Sequence, residues 1–255
     1  MKTIQKLTFA LIIFSLIFSI SCSKDDDATI EIIDVEFSFD ATNPPISQTL
    51  INNLLATTDA NASLIGSQLS VANLMSVWFY LFDQPEGAAQ SNVPVGTCGG
   101  NALVYTYTMS EQGEIFSVAF QICETSSKYT FQIFFSENGS PFELFLYAEE
   151  SKTELKQGYM ELYTSDLSES SISSNVILKY TWNENADGSF DFVVEDSEGD
   201  FKLTIELGAD ESGSMEIEQS GSIYYQATWN STGTAGTYAY YDSEGNVTDS
   251  GNWPS

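Results

Sequence analysis

The chain has 255 residues, with 36 acids, eight basic residues and a formal net charge of −28. Every basic residue is a lysine and there is no histidine. The commonest general base, the commonest metal ligand and the bidentate fork for anions are therefore missing. Nucleic acid is excluded as a partner, because its recognition depends on a basic surface.

At the N-terminus, Lys2 and Lys6 precede an almost purely apolar run, residues 7–20. A helix of that length spans about 21 Å, short of the roughly 30 Å of a hydrocarbon core. A charged start, a short apolar stretch and the small residues Ser19 and Ser21 describe an export signal over residues 1–21. Cys22 is then the first mature residue, and the mature chain keeps six lysines against 36 acids.

The stretch "SISCSKDDD" resembles a lipobox followed by the mature start of a Bacteroidota lipoprotein. Ile20 and Ser21 suit that pattern, and Ser19 departs from the usual leucine. The resemblance implies acyl chains on Cys22, a tether over residues 22–29, and outer-membrane placement. Lys24, Asp25, Asp26 and Asp27 would be the address that sends the protein to the cell surface; a periplasmic face is the other placement. One acyl chain binds a membrane only marginally, at about 0.8 kcal/mol per buried methylene, whereas two or three anchor stably.

Residues 30–255 read as one domain. Ile33, Val35, Phe37 and Phe39 alternate with Asp34, Glu36, Ser38 and Asp40, which predicts an N-terminal strand ended by Pro44 and Pro45. Ile46, Leu50, Ile51, Leu54 and Leu55 then recur at helical spacing, with Asn43 or Ser47 as the cap. A second helix, apolar on most of its circumference, completes a two-helix unit over about residues 46–82.

Cys98 and Cys123 flank a predicted hairpin and, in an exported chain, are expected to form a disulfide contributing roughly 3 kcal/mol. Strand follows strand thereafter: the runs around Phe116, Phe131, Leu144, Leu178 and Leu203 all alternate. Glycines 188, 199, 213, 221, 233 and 245 punctuate the second half at turn spacing. "TWN" occurs at Thr181 and again at Thr228, too few copies for a repeat protein. The expected fold is mainly β: a curved up-and-down antiparallel meander, or a partly closed barrel, of about 11–12 strands, with the two helices packed on it.

No catalytic motif emerges, no cofactor or metal is expected, and the chain reads as non-enzymatic. Asn183, Asn185, Asp187 and Gly188 have the early spacing of a calcium loop, but the twelfth residue is Val194 and the flanks are strands. A hairpin turn is expected there. Glu143, Glu161 and Asp191 are expected on solvent faces rather than as the carboxylate pair of a glycoside hydrolase.

The aromatic load is the remaining signal. Tyr224, Tyr225, Trp229, Tyr238, Tyr240 and Tyr241 crowd the last strands, with adjacent tyrosines expected to point opposite ways. One face would be core and the other a surface for a glycan or peptide. The composite expectation is a lipid-anchored binding or structural module. The alternative is a lipid carrier, since a meander with a helical lid is similar in outline to the lipoprotein-carrier fold of LolA and LolB.

Overall fold

A computed structural model describes residues 44–80, 87–111, 114–153, 157–164 and 175–253. Cys22, Lys24 to Asp27 and the strand predicted around Val35 lie outside the described residues. Two helices come first, α1 (Gln48–Ala56) and α2 (Ala60–Tyr80). Ser47 caps α1, its hydroxyl accepting from the Leu50 amide at 3.2 Å. Asp59 caps α2 by accepting from the amides of Asn61 and Ala62. Asn73 ties the helices together, accepting from the Ile46 amide and donating to the Ile46 carbonyl.

Thirteen described strands follow: β1 (Ala89–Ser91), β2 (Asn101–Glu111), β3 (Glu114–Glu124), β4 (Lys128–Glu137), β5 (Glu143–Ser151), β6 (Gln157–Thr164), β7 (Asn175–Glu184), β8 (Phe190–Asp196), β9 (Phe201–Leu207), β10 (Gly213–Gln219), β11 (Ser222–Trp229), β12 (Gly236–Tyr241) and β13 (Val247–Trp253). They form one antiparallel sheet in strict chain order, and β1 and β13 are its two ends. The meander is therefore open, which corrects the barrel alternative, and it has a strand or two more than expected. Each hairpin follows its neighbour because its turn is local. Between β10 and β11 the loop is Ser220–Gly221, both at positive φ (50° and 76°), matching the right-handed twist of the flanking strands.

Laid flat, thirteen strands at about 4.8 Å spacing would be about 60 Å wide. Two packed helices cover only about 20 Å. Yet Leu103 on β2, Phe192 on β8 and Trp253 on β13 share one buried cluster with Leu50, Leu54, Ile65 and Leu69 of the helices. The sheet meets that demand by curving around the pair, so its concave face is the core.

Three tryptophans fix that face. Trp182 lies opposite Gly158, Trp229 opposite Gly213, and Trp253 opposite Gly236. A Cβ on these glycines would come within 2.6, 2.6 and 2.1 Å, respectively, of the indole Cζ2. Each indole thus lies across a strand that has no side chain at that point. This explains both "TWN" segments and corrects the reading of Gly213 as a turn residue. The turn before β10 is made instead by residues 208–212, with Glu211 at φ 69°.

Candidate functional site

Alternate residues of the same strands point to the convex face, and this face has two parts. Over β2–β4 it is covered by the segment joining β1 to β2. Cys98 and Cys123 sit at disulfide distance, with Cα atoms 5.7 Å apart. Ala102 pairs directly with Cys123, so residues 99–101 must fold back to bring Cys98 over. Gly100 permits this, because a Cβ there would lie 2.0 Å from the Glu124 carbonyl oxygen. Gln121 and Gln132, both buried, hold the strap from beneath. Gln121 Oε1 accepts from the Val95 amide at 2.7 Å and the Gly96 amide at 3.2 Å, and its Nε2 donates to Gln132 Oε1 at 2.6 Å. Val95 completes a second small core with Val104, Ala119, Phe134, Phe142 and Leu144.

From β5 onward most convex side chains are polar, and those of β5 and β6 are half-buried. Register places Glu149 of β5 opposite Tyr159 of β6, and Tyr147 opposite Glu161. Tyr147 donates to Glu149 Oε2 at 2.6 Å, and the Lys128 ammonium also bonds that oxygen. Tyr163 donates to Glu161 Oε2 at 2.8 Å. The rings of Tyr147 and Tyr159 lie 5.9 Å apart at 35°. The Lys179 ammonium stands 5.3 Å from the centre of the Tyr159 ring.

This arrangement tunes the groups. Burial first, then the bond to Glu149, holds the Tyr147 hydroxyl well above the usual tyrosine value. Tyr163 is raised in the same way by burial and Glu161. Glu149 has a carboxyl below its ordinary value: burial acts upward, and the bonds from Lys128 and Tyr147 outweigh it. The tyrosines are therefore neutral and the glutamate is charged across the whole physiological range.

The platform continues as a ladder of alternating sign. Glu161, Lys179, Glu195, Lys202 and Glu218 are successive partners across β6 to β10. Lys202 closes on Glu218 Oε1 at 2.6 Å. Lysine between glutamates turns like-charge repulsion into cross-strand attraction, worth about 0.2–1 kcal/mol per pair. Lys152 completes the set with Glu124 at 2.6 Å, so each of the four described lysines stands beside a glutamate.

The predicted aromatic surface is divided by the structure. Tyr225 and Trp229 are buried in the concave core, 0 % and 4 % exposed, so they are not surface residues. Tyr238 and Tyr240 pack against that core, and Tyr240 donates to Asn61 Oδ1 at 2.9 Å. A bulge between Ile217 and Glu218 skips Tyr224 in the pairing. The rings of Tyr224 and Tyr225 both meet Tyr240, at 5.6 and 4.8 Å, so these adjacent tyrosines share a side. Tyr224 is the exposed member, and Tyr241 donates to Gln226 Oε1 at 2.7 Å.

Glu161 and Asp191 fall on the convex face, as expected, and Glu161 belongs to the platform. Glu143 instead pairs with Phe135, which packs against the concave core, because a bulge between Ile133 and Phe134 shifts the alternation there. Asp191 accepts from Asn185 at 3.0 Å, and residues 185–189 form the turn between β7 and β8, as predicted for the loop of calcium-like spacing. Among the described residues no group of three or more Cys, Asp or Glu is gathered to hold a metal. Among them no helix is long and apolar enough to cross a membrane. Tyr147, Glu149, Tyr159 and Tyr163 were missed in the sequence; their only signal is tyrosine and glutamate at alternate positions of two adjacent strands. No protein-family model matches this chain, and no curated protein matches it.

Proposed function

We propose that the protein is a non-enzymatic binding module carried on a lipid anchor at the outer membrane, with its domain turned to the cell exterior. The observation that carries the binding role is the unequal use of the two sheet faces. The concave face is occupied by the chain's own helices, with Leu50, Leu54, Ile65 and Leu69 at most 1 % exposed. The convex face from β5 onward instead presents tyrosines, glutamates and lysines in fixed register. A carrier of acyl chains would need the volume that α1, α2, Trp182 and Tyr225 fill.

The anchor rests on Cys22 and its neighbours in the sequence. An alkyne-tagged palmitate fed to expressing cells should label the parent chain and leave Cys22→Ala unlabelled. Protease added to intact cells should digest the parent. It should spare a variant in which Lys24, Asp25, Asp26 and Asp27 are all alanine. An unlabelled parent would remove the anchor, and a protected parent would turn the domain inward.

A further inference from the structure

We infer that the convex platform of β5–β7 binds neutral glycans, with sugar rings resting on Tyr147 and Tyr159 and their hydroxyls meeting Glu149, Glu161 and Lys179. This rests on the reading of the domain as a binding module, and names its site and ligand class. A sugar ring offers a flat C–H face bordered by hydroxyls that both donate and accept. It is matched by an apolar ring surface beside a few placed polar groups. Tyr147 and Tyr159 supply two rings 5.9 Å apart on adjacent strands. Both residues are half-buried, so part of each remains open to solvent.

The polar groups around them are already oriented. Glu149 is held by Lys128 and Tyr147, and Glu161 by Tyr163. A carboxylate has about four lone-pair sites, so each keeps acceptor capacity for sugar hydroxyls. Side chains fixed by neighbours lose little further freedom on binding. Charge then selects the ligand. Lys128 and Lys179 stand against Glu149, Glu161 and Glu195, so the platform carries only about one net negative charge, within a chain of net charge −28. An acidic polysaccharide would be repelled by the surroundings, and a cationic ligand would find its carboxylates already paired. An uncharged polyhydroxyl ligand meets neither penalty.

The test is an array of neutral oligosaccharides and polysaccharides, with acidic glycans and peptides printed alongside, probed with the purified full-length protein. Binding to neutral glycans is expected. It should fall about tenfold in Tyr159→Ala, the equivalent of about 1.4 kcal/mol, and stay within about threefold in Tyr159→Phe. Glu149→Gln should weaken it while preserving the shape of the side chain. Tyr241→Ala, also in the sheet but outside the platform, should bind as the parent does. Unchanged binding in both Tyr159→Ala and Glu149→Gln would overturn the site. Capture of acidic glycans or peptides alone would overturn the ligand class and leave the binding module standing. A blank array would overturn both.

Discussion

The two faces of this sheet are built from the same strands and obey opposite rules. On the concave face, large rings sit opposite glycine, and space is filled to contact. On the convex face, medium-sized polar residues sit opposite partners of the opposite sign or with a hydrogen bond to give. A strand alternates its side chains, so neighbouring residues such as Tyr180 and Lys179 answer to different requirements. The concave face carries stability because burial excludes water. Outside the strapped region over β2–β4, the convex face contributes little to stability, which leaves it free for recognition.

Substitutions can break that comparison, beginning with the largest effect. Trp182→Ala removes an indole 1 % exposed and should cost about 4 kcal/mol, read as a lowered midpoint in chemical denaturation. Gly236→Ala should cost about 3 kcal/mol, because its Cβ would lie 2.1 Å from Trp253 and 2.2 Å from the Thr228 carbonyl oxygen. A loss under 1 kcal/mol in either would show that the concave face is not packed to contact. Replacing Cys98 and Cys123 together by serine should cost about 3 kcal/mol, the value for a bridge that closes a span of 25 residues.

Alkaline titration probes both faces at once. Tyr147 and Tyr163 on the convex face and Tyr225 in the core are all raised above the ordinary value, burial being the largest cause. The folded state then favours the neutral phenol. Its contribution is fully present below the unfolded value of about 10 and is lost as pH rises beyond it toward the folded values. The thermal midpoint should fall above about pH 10, with tyrosinate absorbance from these three appearing only as the chain unfolds. Early titration of all thirteen tyrosines would contradict it. The smallest effect is expected from Lys202→Ala, less than about 1 kcal/mol and fading with added salt, because this pair is still partly open to solvent.

Much of the meander was legible because its signals are local. Alternation such as Phe116, Val118, Phe120 and glycine turns such as Ser220–Gly221 lie within one hairpin. The Ser47 cap and both helices were legible for the same reason. What was missed depends on register. Gly158 and Trp182 are 24 residues apart, and only the pairing of β6 with β7 reveals that one lies over the other. The platform has the same origin, since Glu149 meets Tyr159 through the pairing of β5 with β6. The tyrosine reading failed at a bulge: one skipped residue at Tyr224 breaks the alternation on which the face assignment depended.

The strict chain order of the sheet also sets how the molecule can be assembled. Each strand finds its partner in the segment made just before it, so pairing can advance as a zipper while the chain is still emerging, with the helices already present as a form to wind upon. The last hairpins reach farthest back. Tyr240 meets Asn61, and Thr232 meets Asn53, each across 179 residues. Closure of the coil onto α1 and the start of α2 is thus the late and slow event, and a chain stopped short of β11 would lack the clasp that seals its core.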